Sequence, residues 1–173
     1  MHLELETEQL RLREFVLDDA EFIIELLNQS SFIQFIGDKG VRSVDDAKKY
    51  IATGPIESYN RHGFGLYLVQ LKESNKPIGM CGLLKRDTLD AVDLGFAFLP
   101  EFWGKGYACE AAAAVLDHAR DVLKLTRILA ITNPDNDASI KLLYKLGFQF
   151  ERVMKLSCDS DEVKLFSLMF ETS

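Results

Sequence analysis

The sequence predicts an α+β fold: a mixed, mainly antiparallel sheet of about seven strands with helices on both faces, in one domain over residues 1–173. Three observations predict it. Short apolar or alternating segments bounded by turn residues recur along the chain and read as strands. Segments with apolar residues at three- and four-residue spacing, opened by capping residues, read as helices. Their order is strand, two helices, three strands, helix, strand, helix, two strands. Three successive strands make a meander, and the strand–helix–strand unit after it requires one parallel, right-handed crossover.

Each element has its own signal. Leu10, Leu12 and Phe15 interleave with Arg11, Arg13 and Glu14 as a first strand. Asp18 and Glu21 open a helix whose apolar set is Phe22, Ile23, Leu26 and Leu27. Residues 31–40 show no period and are expected to be irregular. Ser43 and Asp46 open a second helix running through about Tyr59. Residues 65–71 and 77–85 read as strands around the turn 72–76, and residues 91–99 complete the meander. A long helix over 105–123 is rich in alanine and charged residues. Residues 127–132 form a short apolar strand. Residues 136–146 form a helix stopped by Gly147, and strands near 149–156 and 163–170 follow.

Composition narrows the function. A net charge of −7 without a basic run argues against nucleic-acid binding. Cys81, Cys109 and Cys158 are odd in number and widely spaced, so neither a disulfide framework nor a zinc site is expected, and reduced thiols fit the cytoplasm. His2, His62 and His118 have no ligand spacing, so no metal is expected. The start MHLELETEQL has neither the basic end nor the apolar core of a signal peptide. No apolar run approaches the roughly 20 residues that cross a bilayer, so no membrane partner is expected.

The most informative stretch joins the third meander strand to the long helix: L-G-F-A-F-L-P-E-F-W-G-K-G-Y-A-C-E-A, residues 94–111. The first turns of a helix leave backbone N–H groups unpaired and carry the positive end of the dipole. Gly104 and Gly106 let that backbone approach an anion closely, most naturally a pyrophosphate. The other reading is a tight turn into a glycine-started helix. A P-loop spacing is absent, and Cys109 stands where a dinucleotide fingerprint needs its third glycine.

The run P-E-F-W-G-K-G-Y-A-C-E-A resembles the coenzyme A loop of the GNAT superfamily of N-acetyltransferases, above all the branch that acetylates ribosomal-protein N-termini. Leu10-Arg11-Leu12-Arg13 with Asp18-Asp19-Ala20, and N-P-D-N-D-A-S at 133–139 followed by Lys145-Leu146-Gly147-Phe148, match in the same order. Glu101 departs from it, standing where Gln or Arg is frequent, which puts a phosphate contact from that side chain in doubt.

The resemblance implies a GNAT-like sheet whose strand ending at Leu99 splays away from residues 127–132. The pantetheine arm of acetyl-CoA would enter that gap and pair with backbone near Phe98 and Leu99, one of which also supplies the oxyanion donor. The diphosphate would rest on the amides of Trp103, Gly104, Lys105, Gly106, Tyr107 and Ala108. Asn133 and Asn136 either make polar contacts to the coenzyme or shape the turn.

The implied reaction is direct attack of a primary amine on the thioester in a ternary complex, the acceptor being a protein N-terminal α-amine or a small amine. An α-amine, with a pKa of about 7.7–8.0, is partly neutral near pH 7, whereas a lysine near about 10.4 needs more help. Asp93 is the expected base and Ser139 the expected acid; a solvated strand-end carboxylate and a capping serine are the plainer readings. Tyr144 falls one residue after the position of the superfamily tyrosine, occupied here by Leu143; one residue turns a helix by about 100°, so Tyr144 is read as packing. Cys109 is read as a small residue under the loop rather than an acyl carrier. Phe32, Phe35, Tyr59 and Phe64 either wall an acceptor pocket or belong to the core. A monomer or homodimer is expected. The competing functions are a non-catalytic acyl-CoA-binding or regulatory module and a nucleotide binder.

Overall fold

A computed structural model describes residues 3–171; His2 lies outside them. The strands are β1 (Glu4–Glu6), β2 (Leu10–Glu14), β3 (Leu66–Leu71), β4 (Pro77–Leu84), β5 (Asp93–Phe98), β6 (Arg127–Thr132), β7 (Gln149–Lys155) and β8 (Glu162–Met169). They form one eight-stranded sheet of order β1-β2-β3-β4-β5-β6-β8-β7. All neighbours are antiparallel except β5 and β6. The strand beyond the expected seven is β1, which sets Leu5 opposite Leu12; a single leucine between glutamates carries too little alternation to announce a strand.

The helices are α1 (Ala20–Leu27), α2 (Ser30–Phe35), α3 (Val44–Ile51), α4 (Glu57–His62), α5 (Tyr107–Asp121) and α6 (Asp137–Lys145). Two expectations need correction. The stretch read as irregular contains α2, a short helix that buries Phe32. The helix read as continuous from Ser43 is interrupted. Its start holds, with the Asp46 N–H donating to Ser43 Oγ at 3.1 Å. Residues Ala52–Ile56 are then π-helical around Pro55. Proline lacks the N–H of an α-turn and clashes with the carbonyl four residues back, and the wider π turn accommodates it.

Alternate side chains of the sheet feed two cores. Tyr67 and Val69 of β3 pack with Ala111, Ala112 and Val115 of α5 and Leu143 of α6. Leu66 and Leu68 face the other way, with Ile23, Leu26 and Leu27 of α1 and Ala47 and Ile51 of α3. Each fully buried leucine or isoleucine contributes about 1.5–3 kcal/mol of transfer free energy, so both helical layers are held to the sheet mainly by these faces.

One feature of the sheet positions the site. β5 pairs with β4 along its whole length, from Gly79 opposite Phe98 to Leu84 opposite Asp93. Toward β6 it makes a single bridge, Asp93 opposite Leu129, with the Leu129 N–H donating to the Val92 carbonyl at 2.9 Å. Beyond Asp93 the two strands part. The Leu99 N–H donates to the Ile78 carbonyl at 2.9 Å, so odd-numbered residues of β5 turn their backbone groups to β4. By alternation, the backbone groups of Phe96 and Phe98 face the gap.

The start of α5 is tied to the β1–β2 turn. Glu110 accepts hydrogen bonds from the Thr7 hydroxyl, from the Gln9 N–H at 2.9 Å and from Gln9 Nε2 at 2.9 Å. Burial pushes its carboxyl pKa up, but the bonds from Thr7 and Gln9 outweigh that and hold it below the ordinary 4.5. Glu110→Ala is expected to lower unfolding free energy by about 1–3 kcal/mol. Because the folded pKa is depressed, the stabilisation is complete above the ordinary carboxylate value and disappears as pH falls through the depressed one. Urea titrations of both proteins from neutral to acid pH should therefore converge at the acid end.

Candidate active site

A cavity of about 460 Å³ opens where β5 and β6 part. Leu94, Gly95 and Phe96 form one wall and Ala130, Ile131 and Thr132 the other, with Asp93 at the bridge and Ser139 facing in from α6. Asn133, Asn136, Phe32 and Phe35 also line it.

Asp93 is 1% exposed, so it is not a solvated strand-end carboxylate. Arg86 Nε donates to both of its carboxylate oxygens at 3.2 Å. Burial pushes the Asp93 pKa above its ordinary 3.8, while the charge and hydrogen bond of Arg86 pull it down. The net result is a carboxylate more basic than a free one yet held beside a cation.

Ser139 lies in the first turn of α6. Its N–H donates to Asn136 Oδ1 at 3.3 Å, so Asn136 is the cap, and the Ser139 hydroxyl makes no hydrogen bond to the described residues. Asn133 Oδ1 accepts the Asp135 N–H at 2.9 Å. Both asparagine oxygens thus shape backbone, while their amide NH2 groups make no hydrogen bond among the described residues. The Thr132 hydroxyl is buried with no hydrogen-bond partner. An orphaned hydroxyl inside a cavity marks a place for an incoming polar group.

The loop before α5 lies outside the cavity wall, on the surface at the far end of β5. Gly104 and Gly106 are left-handed, with φ of +73° and +85°, and a Cβ on either would meet nothing within 4 Å. Backbone conformation, rather than crowding, therefore favours glycine here. No side chain caps α5, so the N–H groups of its first turn remain available. Trp103 Nε1 donates to the Phe98 carbonyl at 2.9 Å and pins the loop to the end of β5. Cys109 is half-buried in that first turn.

Two site residues need correction. The Trp103 N–H donates to the Pro100 carbonyl at 3.1 Å, so the free amides of the loop begin at Gly104. Leu99 gives its N–H to Ile78, and its carbonyl accepts the Phe102 N–H at 2.9 Å. Both backbone groups are engaged, so the amide that faces the gap is that of Phe98. Tyr144 is half-exposed and meets the edge of Phe166 at 5.7 Å, away from the cavity, as its helical phase predicts. Phe32 and Phe35 wall the cavity, whereas Tyr59 stacks on Tyr67 at 5.6 Å and Phe64 is core. The sequence reading missed Arg86, Lys39, Tyr50 and Thr132. Among the described residues no cluster of three or more His, Cys, Asp or Glu could hold a metal ion, and no helix is long and apolar enough to cross a membrane.

The family model described as an acetyltransferase (GNAT) domain matches residues 9–149. The chain belongs to the GNAT acetyltransferase family. The uncharacterized N-acetyltransferase YoaA of Bacillus subtilis is 31% identical over 153 residues, covering 87% of this chain and 85% of that protein. Among solved GNAT structures, the ribosomal L7/L12 α-N-protein acetyltransferase RimL in complex with coenzyme A superposes with a TM-score of 0.83 at 20% identity, covering 96% of this chain and 98% of that one. The ribosomal-protein-S5-alanine acetyltransferase of Vibrio fischeri superposes with a TM-score of 0.79 at 22% identity, over 96% of each chain. At these identities the likeness is one of fold. The acyl donor of GNAT acetyltransferases is acetyl-CoA.

Proposed function

We propose that the chain transfers an acetyl group from acetyl-CoA to a primary amine in the cavity shared by Asp93 and Ser139. The observation that carries this reading is their convergence on one cavity where the sheet parts. The residues present fit the coenzyme. Residues 104–108 would hold the diphosphate on their amides, with open space at Gly104 and Gly106. The gap-facing backbone of Phe96 would pair with the pantetheine arm as with an added strand, beside the unpartnered Thr132 hydroxyl. When bound, acetyl-CoA supplies the thioester.

Asp93 takes the proton released by the attacking amine. Its raised pKa makes it a stronger base than an ordinary aspartate, and Arg86 favours the ionised form that the role needs. The Phe98 N–H faces the gap as a donor to developing negative charge. The Ser139 hydroxyl donates a hydrogen bond to the departing sulfur. A protein N-terminal α-amine, partly neutral near pH 7, suits this base, and a small alkylamine leans on it more heavily.

An acceptor screen read by free-thiol release tests the assignment. Release with some amines supports it. Binding of acetyl-CoA without release for any of them returns the non-catalytic module. Ser139→Ala should lower kcat on the order of 10²-fold with little change in the KM for acetyl-CoA; a rise in KM at constant kcat would make Ser139 a binding residue instead.

A further inference from the structure

We propose that the acceptor is an anionic amine, carrying a carboxylate or phosphate that Lys39 and Arg86 bind at the cavity wall. The inference builds on the acetyl-transfer reading and names the substrate class for the same site.

The chain as a whole carries a net charge of −7. The cavity has the opposite sign: Lys39, Lys85 and Arg86 line it against the single carboxylate of Asp93. That carboxylate is already used, and it uses only part of its partner. Arg86 reaches Asp93 through Nε, and its two terminal NH2 groups make no hydrogen bond to the described residues. A guanidinium edge with free N–H groups is shaped for two-point binding of a carboxylate or phosphate.

Lys39, in the segment after α2, likewise has no hydrogen bond or ion pair among the described residues, and neither has the Tyr50 hydroxyl. Lys39 and Arg86 are close enough to repel one another; burial first, and Arg86 second, lower the Lys39 pKa. Asp93 offsets one of these positive charges, and a ligand anion on the same wall offsets the other. Lys85 donates to the carbonyls of Arg86 and Leu89, each at 3.3 Å, and adds to the positive field. Polyamines and aminoglycosides would bring further positive charge against this wall. Phe32 and Phe35 leave an apolar surface for the short body joining amine and anion.

Matched pairs test the proposal: β-alanine against β-alaninamide, and O-phosphoethanolamine against ethanolamine, with spermidine as the cationic comparator. Each is assayed for thiol release and, independently of turnover, for a rise in melting temperature in the presence of coenzyme A. At least one anionic member should exceed its neutral partner on the order of tenfold in kcat/KM, and the better pair tells carboxylate from phosphate. Lys39→Gln should erase that preference and the matching thermal shift while leaving turnover of the neutral partner in place. Turnover in which neutral or cationic amines equal or surpass the anionic ones overturns the proposal and leaves acetyl transfer standing. Anionic amines that shift the melting temperature through Lys39, with no thiol release from any amine, uphold the charge assignment and overturn acetyl transfer.

Discussion

Asp93→Asn is expected to lower kcat about 10²–10⁴-fold, the range for removing a positioned general base, while acetyl-CoA still raises the melting temperature. Both halves follow from where Asp93 sits. The carboxylate is buried at the β5–β6 bridge, on the cavity wall, and away from the loop at the start of α5. Asparagine keeps its shape but takes no proton and leaves the Arg86 Nε without its counter-charge. The coenzyme response therefore serves as the folding control. The pH profile gives a second readout. The base must be ionised, and burial raises its pKa above 3.8 against the pull of Arg86. In the wild type kcat/KM should rise with pH through a value above that of ordinary aspartate, and in Asp93→Asn this acid limb should flatten. An unchanged limb would assign the base elsewhere.

Gly106→Val is expected to abolish the stabilisation by acetyl-CoA. At 100 times the dissociation constant the wild type should gain about 2.7 kcal/mol by mass action. In the variant two effects combine. A branched side chain at a φ of +85° is strained, at about 1–2 kcal/mol. Its side chain also fills space that glycine leaves open at the loop. Gly63 separates the two effects, because it shares a left-handed φ of +77° and open space at the C-terminus of α4. Gly63→Val should show the strain in urea titrations yet retain the full acetyl-CoA response.

The sequence made the frame legible where pattern and geometry coincide. The strand Arg127–Thr132 has the expected bounds, because its apolar run is bracketed by polar residues. Gly147 ends α6 region with a φ of +99°, as its position implied. The misses have local causes: β1 carries one apolar residue, α2 points one buried side chain inward, and Pro55 replaces an α-turn by a π turn.

The site divides along the same line. Asp93, Ser139 and the two loop glycines stand out in the sequence through motifs and their resemblance to a family, and the structure sets Asp93 and Ser139 on one cavity. Arg86 does not, because it follows the end of a strand read over 77–85 and nothing local ties it to Asp93. Lys39 and Tyr50 reach the cavity from the α2–α3 region, a convergence that only tertiary packing creates. Leu99 was misassigned for a related reason: which residues of a strand face a gap depends on the register with its neighbour, here fixed by Leu99 pairing with Ile78.

The most direct measurement is a crystal structure of the protein with coenzyme A. The diphosphate should lie on the amides of residues 104–108 at the start of α5, with the arm running between β5 and β6 and the sulfur near Ser139. A diphosphate bound in another cleft, with those amides facing only water, would contradict the assignment.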